Sequence, residues 1–285
     1  MANLVDIIVP ALWVGGICSV FYTAIDSPLR PLQSWVLSWR NAFAYPTKHY
    51  FVALFILTIF LVSPTLDFVF GKYLRVPGWI LLSAAWSWQA LAAGLLGFIA
   101  VRVHYEALED DPVVKRKPYA ANRRREWWAF AIGVGGSLAL LGANFGLAFL
   151  ASPLPKAWQP LGFTFNGLVR HALLFVPFAI IRPVLSLGAN RPVRSAFVGF
   201  SRRPVSFLIW ISAVGSIPPW FANYAMESFV RPGAFALGPF WISHALLAVF
   251  NLLNFLAFEM TTFRMVRNLS WAPKENFEVG RDESL

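Results

Sequence analysis

The stretch Val76–Val101, VPGWILLSAAWSWQALAAGLLGFIAV, carries no Asp, Glu, Lys or Arg from end to end. Hydrocarbon offers no water to backbone N–H and C=O groups, so a run of about 20 apolar residues forms a membrane-crossing helix. The same criterion, carried outward in both directions, predicts Ile7–Ile25, Tyr50–Leu66, Trp127–Pro155, Pro204–Met226 and Pro232–Phe258 as further spans. Trp158–Ile181 completes a set of seven if Arg170 and His171 are accepted in its middle. Ile7–Ile25 holds Pro10, Gly15 and Gly16, and the alternative is six spans preceded by a re-entrant or interfacial N-terminal segment. The absence of a basic residue before it argues against a cleaved leader.

Composition agrees with a polytopic, all-α membrane bundle. The 285-residue chain is 58% hydrophobic and 13% charged, where a soluble domain averages about 25% charged residues. Soluble, disordered and collagen-like classes are excluded. The net charge of +10 is read as loop charge facing the cytoplasm and not as a nucleic-acid footprint. One cysteine, Cys18, leaves no intrachain disulfide and no cysteine-based metal or redox motif.

The loops test the count. Of the 24 basic residues, nineteen fall in alternate loops and the tail, among them Arg30, Arg40, Lys48, Arg102, Lys115–Lys117, Arg123–Arg125, Arg182, Arg191, Arg194, Arg202 and Arg203. The opposite side holds Lys72, Arg75, Lys156 and Arg231. The positive-inside rule then orients the C-terminus to the cytoplasm and, with seven spans, the N-terminus outside. The chain reads as a single transmembrane domain over residues 1–285, with 268–285 expected to be a flexible cytoplasmic tail.

An internal repeat is visible at a spacing of about 154 residues. Arg40-Asn41-Ala42-Phe43 corresponds to Arg194-Ser195-Ala196-Phe197, and Thr47-Lys48 to Ser201-Arg202. Leu54, Phe55, Leu57 and Thr58 match Leu208, Ile209, Ile211 and Ser212; Arg75, Pro77 and Gly78 match Arg231, Pro232 and Gly233 after small shifts. Before each match lies an amphipathic stretch, with Leu32, Trp35, Val36, Trp39 and Phe43 in one half and Val193, Ala196, Phe197 and Phe200 in the other. Both are expected to lie in the cytoplasmic interface. Residues 5–101 and 158–264 then form parallel half-repeats of three spans joined by the linker span 127–155, a layout found among transporters.

Polar groups inside spans carry the functional expectations. An ionisable side chain at the bilayer centre costs about 2.5–3.5 kcal/mol and is a functional hypothesis by default. Arg170 and His171 sit near the middle of their span; the alternative is a span that begins near Ala172, with Arg170 reaching the outer interface. On the last span, taking His244 as origin, Asn251 lies at about −20°, Asn254 at about −80° and Glu259 at about +60°. These four residues form one polar stripe, expected with Arg170 and His171 to line a pathway. Interhelical hydrogen bonding by the asparagines and a surface pairing of Glu259 with Arg264 are the structural alternatives. His171 and His244, at one depth in equivalent spans, are candidate ligands for a b-type haem; otherwise no cofactor and no metal site is expected.

Weaker signals are a rim group of His49, His104 and Glu106, and glycines Gly133, Gly135, Gly136, Gly142 and Gly146, the last two a GxxxG pair suited to helix or subunit contact. The leading functional class is a channel or transporter for a small solute or ion. The alternatives are a non-catalytic accessory or assembly subunit of a membrane complex, and a haem or quinone redox subunit. An enzyme acting on lipid would need a polar pocket beside His49, His104 and Glu106. Expected partners are the bilayer, further copies of the chain or complex subunits, and no nucleic acid.

Overall fold

The computed structural model describes residues 30–106, 114–116, 123–151, 175–229, 237–268 and 277–279, with the isolated positions Val14 and Cys18. The described chain is helical apart from one short ribbon. Its helices are α1 (Pro31–Lys48), α2 (Tyr50–Leu66), α3 (Gly78–Glu106), α4 (Arg123–Ala151), α5 (Val176–Ser186), α6 (Pro192–Arg202), α7 (Pro204–Phe229) and α8 (Leu237–Arg267). Among the described residues, four segments are long and apolar enough to cross a membrane: Tyr50–Gly71, Gly78–Glu106, Arg123–Ala143 and Trp241–Arg267. The protein is therefore built as a membrane protein. The stretches Ile7–Ile25 and 158–174 lie outside the described residues, apart from Val14 and Cys18.

Helix α1 shows which solvent the fold is built for. It starts at Pro31, where the missing proline N–H costs nothing, after Arg30 in the left-handed region (φ 46). Its small residues Ser34, Ser38 and Ala42, spaced by four, are buried with Tyr45, and α1 packs along α8. The Ser38 hydroxyl donates to the Ser34 carbonyl at 2.6 Å, so it needs no partner on α8. The apolar side looks outward: Val36 is 57% and Phe43 62% exposed. In water this helix would be inside out; in lipid, small residues face the protein and bulky apolar ones the acyl chains.

Helix α2 shares the pattern, with Ala53, Ile56 and Ile59 buried and Phe51, Leu54 and Phe55 outside. The charge-free criterion ended this span at Leu66. The helix instead continues in π form through Asp67–Tyr73. Span three likewise runs beyond Val101 to Glu106, and α5 passes Arg182 to reach Ser186. In each case a charge that ends an apolar run does not end the helix: backbone hydrogen bonding runs on through Arg102 and Arg182, and in the wider π form through Asp67.

Helices α3 and α4 pack closely enough to need glycine. A Cβ on Gly97 would lie 2.5 Å from the Ala129 carbonyl oxygen, and one on Gly133 would run into the Ala93 carbonyl. Gly136 meets the ring of Phe178 on α5. Gly142 and Gly146 have open space around them, so the GxxxG pair makes no helix contact within the described chain.

Helix α8 is the centre of the bundle, touching α1, α2, α3, α5 and α7. Leu252, Leu256 and Met260 join a core with α1, α2 and α3. Phe258, Phe263, Met265 and Val266 join a second core with α5, α6 and α7. Glu259 stands between the two. Both cores lie toward the end of the bundle where α1, α3, α5 and α8 finish and α4 begins. At the same end Val114–Arg116 and Phe277–Val279 pair antiparallel, Val114 opposite Val279. This fixes three residues of the tail expected to be loose.

Candidate functional site

The sequence His104-Tyr105-Glu106 closes α3 with three polar side chains in a row. Successive helix residues diverge by about 100°, so the three reach different neighbours. His104 turns to α5 and α8. Its Nδ1 lies 2.8 Å from Ser186 Oγ, and its Nε2 lies 3.3 Å from Glu259 Oε2. Phe263, one turn beyond Glu259 on α8, stacks on the imidazole at 4.8 Å. On the other side of Glu259, Arg182 Nη2 stands 2.6 Å from Oε1. Tyr105 donates its hydroxyl to the Ser186 carbonyl at 3.2 Å. Ser186 also donates to the Arg182 carbonyl at 3.1 Å, one turn back on α5.

The site is closed to solvent. His104, Ser186 and Glu259 are fully buried, while Arg182 keeps its side chain 18% exposed. A carboxylate in this setting is expensive unless paired and hydrogen-bonded. Arg182 supplies the opposite charge. The pairing is imperfect: among the described residues His104 Nε2, Arg182 Nε and both Glu259 oxygens lack a well-aligned hydrogen-bond partner. The centre of the cluster thus holds polar valence that its own side chains do not saturate.

Glu106 builds a second group on the α1 side. Tyr45 donates its hydroxyl to Oε2 at 2.6 Å, and Arg102 donates Nε–H to Oε1 at 2.6 Å. His49 Nδ1 lies 3.4 Å from Oε2, with the Tyr45 ring stacked on its imidazole at 4.6 Å. Glu106 is partly buried, so three consecutive residues of α3 connect a closed cluster to one at the protein surface.

Serine, histidine and a carboxylate in line have the composition of a nucleophile, base and orienting acid. The hydroxyl of Ser186, however, is buried and spends its proton on a carbonyl of its own helix. What the arrangement can do is hold charge and exchange protons.

The stripe expected along α8 lies on one helix, and its burial increases toward Glu259. His244 is half-buried, its Nδ1 3.4 Å from the neighbouring Ser243 hydroxyl. Asn251 is half-buried and Asn254 buried, its Oδ1 without a hydrogen bond among the described residues. His244 and Glu259 are about 22 Å apart along the axis at 1.5 Å per residue. In place of the surface pairing with Arg264 that proximity suggests, Glu259 meets Arg182 and His104. Arg170 and His171 lie outside the described residues, and with them the paired haem ligands.

His104 and Arg182 are site residues that the charge-free criterion left in loops. Apolar sequence resumes after each charge, at Val103 after Arg102 and at Pro183-Val184-Leu185 after Arg182. That resumption is the signal that would have found them. No family model, no curated protein and no solved structure matches the chain.

Proposed function

We propose that the chain is a channel or transporter for a small solute or ion, with the polar face of α8 lining the pathway and the Glu259 cluster closing its basic end. The observation that carries this reading is Glu259, buried between Arg182 of α5 and His104 of α3 at the end of that face. Three helices that a pathway would separate are held there by charge. A buried ion pair is a poor device for stability alone, since an apolar replacement often does as well. In the proposal Arg170 and His171 continue the lining from the neighbouring span.

The same proposal has seven spans, an outer N-terminus and a cytoplasmic C-terminus, supported by the loop charges. It has two parallel half-repeats, and burial supports this. Arg40, Asn41, Ala42 and Phe43 are exposed, half-buried, buried and exposed; Arg194, Ser195, Ala196 and Phe197 follow the same order. The breaks that join each amphipathic helix to the next span are alike, with His49 at φ −127, ψ 52 and Arg203 at φ −145, ψ 54.

A second reading, an assembly subunit or homo-oligomer in the membrane, is favoured by Gly142 and Gly146 on α4, which no other described residue covers. Flux separates the two. Vesicles containing the full chain are expected to pass at least one of a panel of small anions and polar solutes, and Arg170→Ala and Glu259→Ala to change that flux. Unchanged flux in both variants would remove the pathway.

A further inference from the structure

The two halves meet at the buried site through equivalent residues. Pro77 and Gly78 correspond to Pro232 and Gly233, and the same spacing carried along α3 and α8 sets His104 opposite Glu259. Equivalent residues of two repeats touch only beside the axis that relates them. On the half-repeats proposed above, His104 and Glu259, 3.3 Å apart, are equivalent residues in contact where the two halves meet.

The hydrogen bonds at His104 specify a ligand. Ser186 has one hydroxyl proton. When it donates to the Arg182 carbonyl at 3.1 Å, Ser186 Oγ accepts from His104, and Nδ1 must carry a proton. Nε2 then faces Glu259 with one more proton between them, either as imidazolium against carboxylate or as imidazole against carboxylic acid. When the hydroxyl rotates to donate to Nδ1, that nitrogen has no proton and a single Nε2–H faces the carboxylate. The two arrangements differ by one proton and a hydroxyl rotation, with no other atom displaced.

We propose that the His104–Glu259 pair is a proton-binding site between α3 and α8, and that the proton is the coupling ion of the transport proposed above, on which that second clause rests. The charged groups that bear on His104 are Glu259 from α8 and Arg182 from α5. From α3 itself Tyr105 turns to α5 and Glu106 to α1, where Tyr45 and His49 receive it. Arg264 follows on α8, and α7 brings the apolar Phe207 and Trp210. Uptake of the proton leaves Arg182 beside either a neutral carboxylic acid or a carboxylate shared with the His104 imidazolium. The tie between α5 and α8 loosens as a result.

The test uses the full chain in lipid nanodiscs. Infrared difference spectra between acidic and alkaline buffer are expected to show a protonated-carboxyl band, shifted in heavy water. It should be present in the wild type and in Glu106→Gln, absent in Glu259→Gln, and displaced in His104→Gln. Should those variants misfold, nitrogen-15 NMR of a chain keeping His104 as its sole histidine reads the gain of the Nδ1 proton directly. If neither the carboxyl nor the imidazole of the pair changes protonation over the pH range in which the fold holds, the proposal is overturned. A titrating pair in vesicles that pass no solute keeps the proton site and removes the transport reading. Solute flux with a pair that never titrates does the reverse.

Discussion

Arg182 of α5 reaches Glu259 of α8 at 2.6 Å, joining a helix that the charge pattern ends one residue earlier to the most buried stretch of the bundle. Removing the guanidinium alone strands a carboxylate with no solvent to accept it. Arg182→Ala is expected to destabilise the protein by about 3–5 kcal/mol, the usual cost of breaking a buried pair. Arg182→Met combined with Glu259→Gln should recover most of it. Thermal unfolding in detergent, followed by circular dichroism, reads both; equal losses in the single and double variants would count against the pairing.

Close packing of α3 on α4 depends on glycine at defined positions. Gly97→Ala puts a methyl group against the Ala129 carbonyl, and overpacking of this kind costs about 1–3 kcal/mol. Gly142→Ala meets open space among the described residues and is expected to leave the melting temperature of the monomer unchanged or raised. A loss of self-association in Gly142→Ala, by cross-linking or analytical ultracentrifugation, would assign that face to a second copy.

The orientation of α1 predicts its accessibility. With Cys18 replaced by serine, a spin label at Val36→Cys should collide with oxygen dissolved in lipid. A label at Ser38→Cys should be shielded from both oxygen and a water-soluble nickel complex. Equal exposure of the two sites to the nickel complex would place α1 in water and undo the lipid-facing assignment.

Loop charge predicts sidedness. A reporter fused after Lys156 should be found outside and one at the C-terminus in the cytoplasm. Lys156 in the cytoplasm would contradict the seven-span count.

The helical membrane character was legible in apolar runs alone, because hydrocarbon leaves the backbone no alternative to internal hydrogen bonding. Three things were not. Helices run beyond Leu66, Val101 and Ile181, because a charge ends an apolar run but does not interrupt backbone hydrogen bonding. The partners of Glu259 were missed for the same reason: His104 and Arg182 are distant in sequence, and only packing of α3 and α5 on α8 brings them together. The face of α1 that meets protein was obscured too. Its apolar stripe is the conspicuous one, yet Ser34, Ser38 and Ala42 are the residues buried in the contact, with Trp35 and Trp39 of the stripe half-buried against the two cores.

Stopped-flow swelling of liposomes containing the full chain tests the central claim most directly, with a panel of small anions and polar solutes supplied outside. The account predicts permeability above that of protein-free liposomes for at least one solute, changed by roughly tenfold in Glu259→Gln, the size of a 1.4 kcal/mol effect. Wild-type vesicles no more permeable than protein-free ones across the whole panel would contradict it.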